Sequence, residues 1–105
     1  MSISPQNDKK RILVVDDTPE NIDILKDILT PQYRVLIATN GRMALKIAMS
    51  ASAPDIILLD VMMPEMDGYE TCSHLKNDER SRNIPVLFVT AKAAIDDEIK
   101  GFELG

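Results

Sequence analysis

The sequence predicts an α/β fold, one parallel β-sheet with helices on both faces. Three observations predict it. Four short apolar runs recur, "RILVV" at 11–15, "YRVLIA" at 33–38, "DIILL" at 55–59 and "IPVLFV" at 84–89. Each is nearly continuous rather than alternating, the pattern of strands covered on both faces. Stretches of helical spacing separate them, so the order reads βαβαβαβα, and right-handed crossovers place the helices on either side of the sheet. No repeat, low-complexity segment or internal linker interrupts the 105 residues, the size of a single domain.

The elements follow in order. After the first strand, "TPENIDILKDIL" offers Thr18 as N-cap and Pro19 at the first helical position. Ile22, Leu25, Ile28 and Leu29 then share one helix face. The second strand ends on Ala38 and Thr39, and "NGRMALKIAMSA" begins a second helix with Asn40 as cap and a buried stripe of Met43, Ala44, Ile47, Ala48 and Ala51. A third helix is expected from Asp67 to Asn77, with Tyr69, Cys72 and Leu75 inward. "NDERSRN" at 77–83 reads as solvated loop. A fourth helix is expected over 94–104, with Ile95, Ile99 and Phe102 on one face and Asp96, Asp97 and Glu98 in its solvated first turn. Residues 1–10 are expected to be a flexible tail, which leaves 11–105 as the folded domain.

Composition narrows the function. The formal net charge is -5, and no basic run follows the short "DKKR" start, so neither nucleic acid nor an anionic membrane is expected as a direct partner. No apolar stretch reaches the roughly 18 residues of a membrane span, and "MSISPQNDKKR" has no signal-peptide core. The one cysteine, Cys72, cannot form an internal disulfide and suits a reducing compartment. A soluble cytoplasmic domain is expected.

In open parallel sheets, sites form outside the carboxyl ends of the strands. The residues there are Asp16 and Asp17 after strand one, Asp60 after strand three and Thr90 after strand four. Carboxylates so gathered repel one another, and without a cation at least one has its pKa raised. An all-oxygen donor set suits Mg²⁺. His74 is the only histidine, so no His/Cys cluster exists for zinc, and it reads as a surface residue. Cys72 reads as a small core residue, and Met62, Met63 and Met66 as loop packing. A carboxylate nucleophile, a metal and a hydroxyl donor together suit phosphoryl transfer. Asp60 is the natural nucleophile, because it ends the most continuous apolar run.

These residues resemble a known family. "ILVVDD", "IILLDVMMPEMDG" and "VLFVTA" look like the three signatures of the response-regulator receiver domain of two-component signalling, over residues 11 to 105. The resemblance implies a flavodoxin-like (CheY-like) doubly wound sheet whose aspartate accepts phosphate from a sensor histidine kinase or phosphotransfer protein. Asp60 would be the phosphoacceptor. Asp17, Asp60 and the backbone carbonyl of Met62 would bind Mg²⁺ directly, and Asp16 through a water. Thr90 and the Ala91 N–H would contact the phosphoryl group. Met63 and Pro64 would shape the loop after the acceptor, and Gly68 would let the chain turn into the third helix. The N-terminal half, "DDTPENIDILKDIL" above all, looks like receivers that precede cyclic-dinucleotide signalling domains.

The family pattern continues past "GFELG" into a fifth strand, which carries a lysine and an aromatic switch residue, and a fifth helix. These residues do not occur in this sequence, so the expected strand order is 2-1-3-4, with no family lysine and no output domain. Lys92 sits two residues beyond Thr90, where the family varies freely. The exposed fourth strand implies self-association. The leading expectation is a phosphorylation-controlled switch whose only catalysis is its own phosphorylation and slow dephosphorylation. A receiver-like docking module that binds metal or partners without phosphate is the alternative. A hydrolase of the haloacid-dehalogenase type fits less well, since it needs Asp-x-Asp after strand one where "VVDDTPEN" has adjacent aspartates.

Overall fold

The computed structural model describes residues 9–89. Within them four parallel strands form one sheet: β1 (Lys10–Val15), β2 (Tyr33–Ala38), β3 (Ile56–Asp60) and β4 (Val86–Val89), in the order β2-β1-β3-β4. Three helices connect them, α1 (Pro19–Leu29), α2 (Gly41–Ala48) and α3 (Gly68–Lys76). The expected order 2-1-3-4 is observed. β1 starts at Lys10, inside the segment expected to be tail, and Asp60 belongs to β3 rather than following it. The expected helix over 94–104 lies outside the described residues.

The continuous apolar runs are explained by burial on both faces. Ile12, Leu13, Val14 and Val15 of β1 are all buried, although neighbours along a strand point to opposite sides. One face builds the main core: Leu13, Val15, Ile57 and Leu59 pack with Ala44 and Ala48 of α2 and Leu75 of α3. Alanines at the α2 contact let that helix approach the sheet closely. On the other face α1 packs on β1 and β2 and buries Ile22. In β4, Leu87 is 53% exposed. It pairs with Leu58 and, among the described residues, belongs to the outermost strand on that side. Pro85 stops β4 from starting at Ile84, since it has no N–H to donate, yet its carbonyl still accepts from the Ile57 N–H at 3.0 Å.

Several local expectations are corrected. Thr18 occupies the N-cap position of α1, but its side chain makes no capping hydrogen bond. Ile28 and Met43, expected inward, are exposed, as is Ala51. The sheet covers a narrower face of each helix than the apolar spacing spans. Tyr69 lies at the surface edge, its ring tilted against Phe88 of β4 with centroids 5.0 Å apart. The 77–83 loop is polar and mostly exposed except at Ser81, which is fully buried and donates its hydroxyl to the Leu75 carbonyl at 2.7 Å. The cap of α2 follows expectation, Asn40 Oδ1 accepting from the Met43 N–H at 2.8 Å, while Asp67, expected as the first residue of α3, instead caps it, its Oδ1 accepting from the Glu70 N–H at 2.8 Å.

Candidate functional site

The register of the sheet builds the site. Val15 of β1 pairs with Leu59 of β3, so the next residues, Asp16 and Asp60, emerge side by side at the carboxyl edge. The Asp16 N–H donates to the Ala38 carbonyl at 3.1 Å, holding the end of β1 against β2. Asp16 is buried, and its carboxylate is held by two donors: the Thr18 backbone N–H at 2.9 Å and the Asn21 side-chain amide at 3.3 Å. The first is a local Asx turn. The second comes from the first turn of α1, so this helix orients the acidic pair rather than only following it. Asp17, by contrast, is exposed.

Asp60 is 9% exposed at the end of β3. Carboxylate oxygens of Asp16, Asp17 and Asp60 all lie within 4.8 Å of one another. Burial, first, and the neighbouring Asp16 charge push the Asp60 pKa up from 3.8 to about 6. The Met62 N–H, which donates to Asp60 Oδ1 at 3.4 Å, opposes that rise only in part. This is the electrostatic signature of a site short of positive charge. Three oxygen donors with one edge open fit a hard divalent cation, Mg²⁺ in particular, which keeps several waters and needs few protein ligands.

The loop after Asp60 returns abruptly. Met63 is buried in the core, and the Gly68 N–H donates to the Val61 carbonyl at 2.9 Å, closing the loop onto its own start. A Cβ on Gly68 would collide with the Asp60 carbonyl oxygen and lie 2.8 Å from Val61 Cα, so only glycine lets α3 begin this close to the acceptor. Glu65 takes up the tight curvature with φ 68°, a left-handed conformation that costs a non-glycine residue roughly 1 kcal/mol. Asp17, Met62, Pro64, Asp67 and Tyr69 line an open cavity of about 440 Å³ beside the carboxylates.

The structure thus brings Asp16, Asp17 and Asp60 together, with the Met62 N–H, not its carbonyl, as the observed contact to Asp60. Thr90, Ala91 and Lys92 lie outside the described residues. Sequence reasoning missed Asn21, whose signal was an amide in the first helical turn after an aspartate pair. Burial pushes the Cys72 thiol up, away from reactive thiolate, in keeping with a packing role. His74 is exposed on α3, 3.9 Å from Glu70.

The family model described as "Response regulator receiver domain" matches residues 12–105. The chain belongs to that family. It is 49% identical over 96 residues to the response regulator PleD of Caulobacter vibrioides, and 45% identical over 95 residues to a probable cyclic di-GMP phosphodiesterase of Vibrio cholerae. Each alignment covers 90% of this chain but 21% of the relative, so the receiver spans about a fifth of these relatives. Among solved structures it superposes, with a TM-score of 0.78 and 30% identity, on the receiver domain of a Pseudomonas aeruginosa sensor histidine kinase with a magnesium ion in its active-site cleft. That match covers 92% of this chain and 80% of the other. The receiver therefore has the flavodoxin-like fold and is a phosphorylation-controlled switch domain of two-component signalling. Among its described residues, no helix is long and apolar enough to cross a membrane.

Proposed function

We propose that this receiver accepts a phosphoryl group on Asp60 from a histidine kinase or phosphotransfer protein. The observation that carries the reading is the meeting of three carboxylates within 4.8 Å, with Asp60 at the buried end of a central strand. In the transfer, an Asp60 carboxylate oxygen bonds to phosphorus as the phosphorus–nitrogen bond of the donor phosphohistidine breaks. Rigid strand backbone fixes the attacking oxygen, which lowers the entropic cost of alignment. Asp16, held by Thr18 and Asn21, and the exposed Asp17 supply the remaining carboxylates of the cation site. Asp17, Asp60 and the Met62 carbonyl would hold Mg²⁺, with Asp16 acting through a water. When bound, the ion neutralises charge on the phosphoryl oxygens.

Thr90 and Ala91 follow β4 directly, and this reading gives them the contact to the phosphoryl oxygens. The Tyr69–Phe88 contact ties α3, which begins eight residues after the acceptor, to the strand that leads to Thr90. The domain acts on itself alone, taking phosphate and slowly losing it to water, and it works in the cytoplasm. The likeness to the Vibrio cholerae protein supports a cyclic-dinucleotide output for the whole protein. Exposed Leu87 on β4 supports self-association through that strand, and a monodisperse monomer in sedimentation at high concentration would count against it.

Reductive trapping tests the acceptor. Borohydride converts an aspartyl phosphate to homoserine, so after phosphodonor treatment peptide mass spectrometry should find homoserine at position 60. Homoserine at position 16 or 17 would move the acceptor elsewhere. A folded, Mg²⁺-binding protein with none would favour the docking-module alternative.

A further inference from the structure

Residues 61–67 join Asp60 to α3 and curve tightly to do so. The Met66 N–H donates to the Pro64 carbonyl at 2.8 Å, closing a three-residue turn around Glu65, whose φ is 68°. A γ-turn of positive φ is rare and strained. Such strain lasts only where the surroundings over-determine it. Pro64 and Glu65 are both exposed, so they do not supply that constraint. It comes from the methionines on either side: Met63 is buried in the core, and Met66 is half-buried against the start of α2.

The seat for Met66 is made by a missing side chain. Gly41 opens α2 and is buried. A Cβ there would collide with the Thr71 hydroxyl and lie 2.8 Å from Met66 Sδ and 3.1 Å from its Cγ, so Met66 and Thr71 already fill the space a side chain would need. Thr71 is fully buried in α3, and its hydroxyl donates to the Asp67 carbonyl at 2.8 Å, at the end of the same loop. The contact therefore joins α2, α3 and the acceptor loop at one point. A methionine that merely fills a gap tolerates many shapes around it. Here the thioether lies against bare helix backbone beside a strained turn, which leaves it one place to sit.

We propose that Met66, seated on Gly41 and Thr71, is a positioning residue for phosphotransfer. It holds residues 61–67 in their strained path and so fixes the Met62 backbone beside the carboxylates, an inference that rests on the reading of Asp60 as acceptor. The route is short. The Met62 N–H donates to Asp60 Oδ1 at 3.4 Å, and the Met62 carbonyl is the metal ligand assigned to the same loop. Without its seat, Met66 no longer opposes the return of Glu65 to negative φ, and that relaxation draws the Met62 backbone away from Asp60. Met66 acts through the loop and not on the reacting atoms.

Phosphorylation time courses with acetyl phosphate, and calorimetric titration with Mg²⁺, test this on the full chain. Met66→Ala empties the seat and Gly41→Ala fills it from the other side. Both should slow phosphorylation by about tenfold or more, because a displacement of about 1 Å can cost roughly a hundredfold. Both should also weaken Mg²⁺ binding by about tenfold, the loss typical when a group that orients a metal ligand is removed. Met66→Leu, close in volume, should keep the wild-type rate and affinity. Ser81→Ala loses a buried hydrogen bond remote from the loop and should change neither, which separates positioning from general loss of stability. A folded Met66→Ala that phosphorylates at the wild-type rate would overturn the proposal, and so would a slowing that Met66→Leu or Ser81→Ala shares. Should Gly41→Ala fail to fold, Met66→Ala decides alone. Wild-type protein that binds Mg²⁺ but takes no phosphoryl group would sink the acceptor reading instead. Mg²⁺ affinity then judges the anchor, and an unchanged value in Met66→Ala overturns it.

Discussion

Replacing Asp60 with asparagine should stabilise the metal-free domain. Asp60 is nearly buried beside Asp16, and its pKa is raised from 3.8 to about 6. The native fold therefore prefers the protonated acid. Between those two values the folded protein holds a proton that the unfolded chain has released, so stability falls as pH rises through this window. Above it the penalty is complete, and the shift converts to roughly 3 kcal/mol. Asparagine keeps the shape and the acceptor for the Met62 N–H but carries no charge, so it escapes the penalty. For a domain of this size the gain corresponds to about 10 °C or more in Tm. The assay is thermal or urea unfolding of both proteins in EDTA across pH 4 to 8. The advantage of Asp60→Asn should be under about 1 kcal/mol at pH 4 and reach its full value above pH 7. A variant no more stable than the wild type at pH 7.5, or one with the same advantage at both ends, would refute the reasoning.

Other expectations follow from the same geometry. Mg²⁺ should raise the wild-type Tm at neutral pH, by about 2.7 kcal/mol of added stability at a hundredfold excess over Kd, and Asp17→Asn should weaken that response in a thermal-shift titration. Gly68→Ala should destabilise by about 1–3 kcal/mol, because the new Cβ meets backbone at Asp60 and Val61; it should also slow phosphorylation in a time course, since the acceptor must shift to make room. Ser81→Ala should cost about 1–2 kcal/mol in urea unfolding, with phosphorylation unchanged, because it removes a buried donor to the Leu75 carbonyl far from the carboxylates.

Much of this was legible in the sequence because it repeats or is local. The apolar runs gave β1 to β3 within a residue at either end, and the cap at Asn40 needed only a local side chain. Asp16, Asp17 and Asp60 could be gathered from the rule that parallel strands end on one edge, once the strands were placed. What escaped depends on contacts between elements that no periodicity records. Ser81 looked like loop because its neighbours are charged, and only the turn back beneath Leu75 buries it. Asn21 sits in the first turn of a helix after an aspartate pair, but only the folded start of α1 brings its amide to Asp16. Glu65 is a residue from which sequence reasoning expects no positive φ, and the closing hydrogen bond from Gly68 to Val61 imposes that tight path.

The central claim is that three carboxylates and a divalent ion make Asp60 a phosphoacceptor. Intact mass after incubation with acetyl phosphate, with and without Mg²⁺ and beside Asp60→Ala, tests it most directly. The account predicts a gain of one phosphoryl group that requires the metal and vanishes in the variant. A gain that persists in Asp60→Ala, or no gain in folded protein that binds Mg²⁺, would contradict it.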